Sequence, residues 1–293
     1  MTTITRGAWT QSRPHRAVDA PQGVDGGLEI NPRPARRFLE FLTQPRLGCV
    51  ELRVLKAACD RQGRIRRGRD LDLGPAFEGA TLAGWFDDQD RLMREARRLV
   101  GVSGYVTINP VAADLLARSD NRLARTRHAT RDTDVTALCW LYLDIDPARP
   151  ADTSATEAEH ALAADRRDAI LADHPELARW SMWGSSGNGS WILVRLPDYP
   201  NDPAHVAMIR DTVALFDRTY SDQAVRIDAA TTNPARLIGL PGTIKAKGSN
   251  RPDRPWRHAT LEGVGQALEH PGTAEPELLE RGTGHPGNRE KQI

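Results

Sequence analysis

Leu141-Tyr142-Leu143-Asp144-Ile145-Asp146-Pro147 sets two carboxylates one residue apart at the end of an otherwise apolar run. Strand residues face alternate sides, so Asp144 and Asp146 share one face while Leu143 and Ile145 turn into the core. Like charges held that close repel, and inside a protein bulk water does not cancel the repulsion. A divalent cation removes the conflict. The other reading is a solvated Asp-Pro turn at a strand end, the commoner outcome for such a stretch taken alone. Partners elsewhere in the chain decide between the two.

At 293 residues and 39% hydrophobic content, the chain is long enough to bury a sizeable core, as one large domain or two modest ones. No apolar run approaches membrane-spanning length, and Met1 to Gln11 lacks the apolar segment of a secretory signal. A soluble, cytoplasmic protein with no membrane partner is expected. The three cysteines, Cys49, Cys59 and Cys139, have neither the short pair spacing of a zinc site nor the density of a disulfide framework. They are read as reduced, with Cys139 buried in a strand. A net charge of +1 exerts no global pull on nucleic acid, so any such binding must come from local clusters.

Residues 1–30 and 271–293 are polar and rich in Gly and Pro without sustained period, and read as flexible tails around one domain, 31–270. Within it, strands are expected at 49–57, 104–108, 135–145, 180–183 and 191–196. Helices are expected at 36–42, 90–100 and 205–220, and a turn or two of helix at 112–118. A further helix is expected at 156–173, capped by Thr153 or Ser154, with Glu157 completing a capping box for Ser154. Interleaved strands and helices argue for a mixed α and β domain with helices packed on sheet faces.

Ser185-Ser186-Gly187-Asn188-Gly189-Ser190-Trp191 lies between two expected strands. Small residues let the backbone approach a ligand, and successive amides in such a turn can cup an anion. No Lys follows the glycines as in a Walker loop, and the spacing is not that of a dinucleotide fingerprint. Taken alone, a plain hairpin turn is the commoner reading. A third stretch, Val225 to Thr243, puts Asp228 at the end of a short apolar strand and Arg236 after a Pro-fixed turn. Lys245, Lys247, Arg251, Arg254 and Arg257 follow, a run that suits either a solvated loop or the phosphate side of a nucleotide or nucleic-acid site. The Arg-rich segment Arg61 to Arg69 carries the same two readings, a solvated loop or a grip on template phosphates.

A DxD at a strand end, a Ser-Gly-x-Gly turn, and a lone Asp before Asn233-Pro234-Ala235-Arg236 occur here in that order. In this the chain resembles the archaeo-eukaryotic primase superfamily, and more narrowly the primase-polymerase domains of phage, plasmid and other mobile-element replication proteins. Thr107-Ile108-Asn109-Pro110 and Asn121-Arg122 match motifs that precede the DxD in that family. Gly242-Thr243, Lys247-Gly248 and Arg254-Pro255 match motifs near its end, and the resemblance spans roughly residues 35 to 258.

The resemblance implies an α+β fold: an RRM-like antiparallel catalytic sheet joined to a smaller N-terminal mixed α/β module, with template and primer in the cleft between them. It implies that Asp144, Asp146 and Asp228 are catalytic and hold two Mg²⁺ or Mn²⁺ ions for nucleotidyl transfer, and oxygen ligands suit those metals. Ser186, Gly187, Asn188, Gly189, Trp191, Arg236 and Lys247 would bind the nucleoside triphosphate. Asn121, Arg122, Arg254 and Arg257 would bind nucleic acid. The implied activity is that of a template-dependent DNA primase-polymerase acting on a mobile element or its host. The implied partners are a single-stranded DNA template, a primer and a replicative helicase, in trans or on a further C-terminal region. The chain itself has no Gly-Lys-Ser or Gly-Lys-Thr helicase motif.

One departure bears on activity. The family's second motif ordinarily reads Ser-Gly-x-Gly-x-His, the histidine contacting nucleotide phosphates, and here Trp191 stands in its place; Trp256 is a second position where relatives often carry histidine. Indole offers one donor and no charge. Loss of one charged hydrogen bond is worth roughly 1.5 to 3 kcal/mol, a weakening rather than abolition. Three readings stay open: an enzyme leaning on nearby Arg or Lys, an indole stacked on base or ribose, or a catalytically weakened or inactive nucleotide- and nucleic-acid-binding module of a replication complex. A metal-dependent phosphoesterase using the same acids is a further alternative.

Overall fold

Strand β5 runs from Leu138 to Pro147, two residues past Ile145, and is buried on both sides for most of its length. Leu141, Leu143 and Ile145 belong to one hydrophobic cluster, Trp140 and Tyr142 to another. Its apolar run is therefore nearly continuous, as a strand covered on both faces requires. The computed structural model describes residues 28–43, 49–57 and 80–269. Arg61 to Arg69 and Cys59 lie outside the described residues.

In chain order the first part contains α1 (Pro32–Leu42), β1 (Val50–Ala57), β2 (Ala80–Phe86), α2 (Gln89–Ala96), β3 (Gly104–Thr107) and β4 (Ala124–Arg125). After β5 come α3 (Glu157–Asp173), α4 (Pro175–Arg179), β6 (Ser181–Ser185), β7 (Ser190–Tyr199), α5 (Pro203–Tyr220) and β8 (Val225–Ile227). Last among the described residues come β9 (Leu237–Gly239), β10 (Ile244–Lys245), β11 (Arg257–His258), β12 (Gly263–Val264) and α6 (Gln266–Glu269). Among the described residues these strands form two five-stranded sheets, ordered β4-β2-β1-β3-β9 and β12-β6-β7-β5-β8, with β10 and β11 as a separate pair; all of these pairings are antiparallel. The fold is α+β.

Each helix is placed by its apolar face. α3 and α5 cover one side of the second sheet through Ala163, Ile170, Ile209, Val213 and Phe216. On the other side, Trp140, Tyr142, Trp191 and Leu193 meet Phe38 and Leu42 of α1 and the inner residues of the first sheet, Leu52, Val54 and Leu82. Trp140 Nε1 donates to the carbonyl of Leu42 at 3.3 Å, so this junction carries a directional bond as well as apolar area.

Several expectations change in detail. The capping box of α3 is Thr156 with Glu159: the Thr156 hydroxyl accepts from Glu159 N at 3.2 Å and the Glu159 carboxylate from Thr156 N at 2.8 Å. Ser154, read as the cap, instead donates to the carbonyl of Lys247 at 2.9 Å. Strand β2 has no counterpart in the sequence reading, because its Ala and Gly content hides the alternation. The first sheet is also not built from early residues alone, since β9 crosses back from beyond the second sheet to pair with β3. Leu28 and Ile30, read as tail, are held to the domain: Leu28 O accepts from Gly101 N at 2.8 Å and Ile30 is buried. Cys139 is buried in β5, as expected, with its thiol donating to Asp198 Oδ1 at 3.1 Å, and Cys49 is buried as well, where burial pushes its thiol up to about 12.

Candidate active site

The register of β5 decides which side chains meet. Asp144 is paired with Trp191 of β7. On its other side the backbone N–H of Asp228, just past β8, donates to Asp144 O at 2.9 Å, continuing the ladder in which Ile145 faces Ile227. Residues directly opposite each other on neighbouring strands project to the same face. Asp144, Asp146 and Asp228 therefore share the face of Trp140 and Tyr142, at the end where the α1 junction gives way to the open rim of the sheet.

The acids differ in surroundings. Asp144 is only 17% exposed, and its carboxylate lies 3.5 Å from Arg236 Nη2. Burial and then the charge of Asp146 push its pKa up to about 6, against the opposing charges of Arg236 and Lys245 and a hydrogen bond from the Tyr142 hydroxyl. Tyr142 is itself buried, and burial with the charge of Asp144 raises its pKa well above the usual phenol range. Asp146 is 45% exposed and is met at 3.3 Å by Arg149 Nη1, an arginine almost wholly covered. Asp228 is exposed and accepts from Ala230 N at 2.9 Å.

Among the described residues, no three His, Cys, Asp or Glu side chains are grouped to hold a metal ion as they stand. The donor chemistry nevertheless fits a hard divalent cation, since all three acids offer carboxylate oxygens. Burial, ahead of the charge of Asp146, makes the charged form of Asp144 costly, and a cation beside it would relieve that cost.

The Gly-rich turn is not an open anion cup. Gly187 N donates to Ser185 Oγ at 2.9 Å, Gly189 N to Ser186 Oγ at 2.9 Å, and Ser186 N to Gly189 O at 2.9 Å. The pair β10–β11 lies across it: a Cβ on Gly187, where φ is +88°, would sit 2.7 Å from Lys245 Cβ and 2.8 Å from Arg257 O. Gly189 serves close approach instead, because a Cβ there would strike Ile145 O and lie 2.7 Å from Asp146 Oδ1. The turn thus butts its backbone against the acidic strand end.

Trp191 is fully buried and meets Phe38 edge-on, with ring centroids 5.7 Å apart and an interplanar angle of 81°. Gly184 makes room for it, since a Cβ there would come within 2.9 Å of Trp191 Cζ2. Arg236 is delivered by the loop before β9, which is tightly stitched. Asn109 Nδ2 donates to Pro234 O at 3.0 Å while its Oδ1 accepts from Cys139 N at 2.8 Å. Asp132 Oδ1 accepts from Asn233 Nδ2 and Ala235 N. The Thr-x-Asn-Pro stretch thus ties the first sheet to β5 and to the loop that carries the arginine.

The remaining basic residues divide. The lysine whose charge reaches Asp144 is Lys245, which also donates to the Tyr105 hydroxyl at 3.1 Å. Lys247 is held through its carbonyl by Ser154. Arg254 makes a two-bond pair with Glu159 at 2.8 and 2.9 Å, and Arg257 binds Ala155 O at 2.7 Å and Glu157 at 3.1 Å. Both therefore clamp the start of α3. Trp256 closes its own loop by donating to Gly248 O at 3.0 Å. Asn121 and Arg122 precede β4, at the sheet edge opposite to β9 and Arg236. There Asn121, at φ 56°, bonds Asp87 and Asp88.

Four buried side-chain polar atoms among the described residues have no hydrogen-bond partner: Asn188 Nδ2, Ser190 Oγ, Trp191 Nε1 and Arg236 Nε. All four belong to the turn, the strand and the loop that flank Asp144 and Asp146. Buried polar groups are ordinarily satisfied, so these four atoms set the surroundings of the acids apart from the rest of the described core. Tyr142 was within reach of sequence reading, being two residues before Asp144 on the same face. Lys245 was hidden in a run of cations, and Arg149 gave no signal beyond nearness to the acids.

No protein-family model and no curated protein matches the chain. Among solved structures it is similar to the AEP domain of the cyanophage S-2L primase-polymerase. That likeness has a TM-score of 0.44 and 13% identity, over 85% of this chain and 95% of that one. It is also similar to the polymerase domain of Mycobacterium tuberculosis Ligase D, solved in complex with DNA. There the TM-score is 0.38 and the identity 12%, over 87% of this chain and 90% of that one. No helix among the described residues is long and apolar enough to cross a membrane.

Proposed function

We propose that this chain is a nucleotidyltransferase that adds nucleotides to nucleic acid, and specifically a template-dependent DNA primase-polymerase. The observation that carries the reading is the gathering of Asp144, Asp146 and Asp228 on one sheet face beside Arg236, whose buried Nε has no hydrogen-bond partner. In this reading Asp144, Asp146 and Asp228 hold Mg²⁺ or Mn²⁺, which when bound supplies Lewis-acid activation of a 3′ hydroxyl and stabilisation of the departing pyrophosphate. Arg236 neutralises phosphate: its Nε is free of partners, and its Nη2 contact with Asp144, at 3.5 Å, is long enough to be given up. Lys245 adds a second positive charge on the same side. The Tyr142 hydroxyl, donating to Asp144, fixes the rotamer of the most buried acid. Nucleoside triphosphates and a primed single-stranded DNA template are the substrates.

Primer extension and de novo primer synthesis with each metal, for the wild type and for Asp144→Asn and Asp228→Asn, test this. Metal-dependent incorporation lost in both folded variants is the expected result. A wild type that incorporates nothing with either metal, or that cleaves the strand without added nucleotide, would overturn it.

A further inference from the structure

Ser185 holds the Gly-rich turn from beneath. Its hydroxyl accepts from Gly187 N at 2.9 Å, donates to Gly189 O at 3.1 Å, and lies 2.7 Å from Nε2 of His160, which comes from α3 on the far side of the sheet. A serine hydroxyl has one proton. With that proton on Gly189 O, the short contact to His160 requires Nε2 to carry the hydrogen and donate. Burial and the neighbouring charge of Arg257 lower the His160 pKa, which favours the neutral ring, and the donation to Ser185 fixes its hydrogen at Nε2. The contacts run on from Ser185: Gly189, whose carbonyl it binds, has its backbone against Ile145 O and Asp146. His160, Ser185, the turn and Asp146 form one chain of contacts through the thickness of the sheet.

We propose that His160 is a positioning residue which, by donating to Ser185, presets the Ser186–Gly189 turn against Asp146 for nucleotide binding. The inference rests on the nucleotidyltransferase reading for its ligand but not for its structural half. Trp191 occupies the packed α1 side of the sheet with no exposed surface, and the imidazole that acts on the turn arrives instead from α3. A turn held in its binding conformation loses less freedom on association, so the effect falls on nucleotide affinity rather than on turnover.

The test compares His160→Leu, which fills the space without a donor, His160→Gln, which restores an N–H donor, and Ser185→Ala, which removes the acceptor. Amide hydrogen exchange at residues 186–189 is measured without ligand, and KM and kcat for a nucleoside triphosphate are measured in primer extension. Faster exchange in the turn and a KM raised about three- to tenfold, the range of a single lost hydrogen bond, are expected in His160→Leu and Ser185→Ala, with kcat little changed. His160→Gln is expected to recover both quantities. Unchanged exchange and KM in His160→Leu, or a His160→Gln variant no better than His160→Leu, would overturn the proposal. If the wild type incorporates no nucleotide, the functional reading fails, and exchange in the turn still judges the His160–Ser185 relay.

Discussion

Asp144 is the residue at which stability and chemistry oppose each other. Its pKa, raised to about 6 by burial and by Asp146, means that the folded protein holds this carboxylate charged at neutral pH at a cost the unfolded chain does not bear. The sign follows from linkage. A group whose folded pKa is raised contributes stability that is fully present below its unfolded value, 3.8, and is lost as pH rises through about 6. Asp144→Asn removes the charge without changing the shape. In thermal melts with a chelator present, the variant is expected to melt above the wild type at pH 8, with the gap closing as pH falls below about 6. Adding Mn²⁺ should raise the melting temperature of the wild type and leave the variant nearly unmoved. A variant that melts lower than the wild type at pH 8 would contradict the assigned environment. At this scale much was legible: strand alternation alone puts Asp144 and Asp146 on one face. Arg236 was singled out after its Pro-fixed turn and does meet Asp144, while the guanidinium of Arg149 that meets Asp146 gave no signal, because its approach depends on a loop.

Strand β7 and helix α1 show how an element reassigns a residue. The resemblance in motif order leads one to expect a phosphate-binding histidine at the position of Trp191, which invites a test by substitution. In the fold it is buried under Phe38, with Gly184 cleared for its ring. Its indole fills the junction between the second sheet and α1. Trp191→His would leave a cavity there, so a loss on the order of 2 to 4 kcal/mol is expected, measured by denaturant titration. Gain of nucleotide incorporation with unchanged stability would show that the indole is dispensable to the junction. The Gly-rich turn carries the same lesson. Its composition announced close backbone approach, and Gly189 makes one, to the acidic strand end. That the amides of the turn are already satisfied by Ser185 and Ser186 could not be read from composition, since hydroxyl orientation is set by what packs around the turn.

Across the whole molecule, the second sheet is the middle layer, with α3 and α5 on one side and the α1 junction and first sheet on the other, and the acids sit at its rim. β9 and the loop before it belong to both halves, which is how Arg236 reaches Asp144 across 92 positions of sequence. The basic run near the end is split by this arrangement: Lys245 faces the acids, while Arg254 and Arg257 are spent on Glu159, Ala155 and Glu157. Arg254→Gln is therefore expected to lower the denaturant midpoint through loss of its charged bonds to Glu159. It should leave the salt dependence of single-stranded DNA affinity unchanged, as fluorescence anisotropy across a salt series would reveal. A shallower salt slope in the variant would return Arg254 to the nucleic-acid interface. What the amino-acid order determined by itself was local and periodic: the apolar strand with two acids on one face, the helices α1, α2, α3 and α5 from their apolar spacing, and the small-residue turn. Those features depend only on neighbours a few positions apart, whose geometry the backbone repeat dictates. Only the tertiary structure decided which cations meet the acids, that Trp191 is core, and that His160 stands behind the turn, because contacts between residues far apart in sequence depend on sheet order and register.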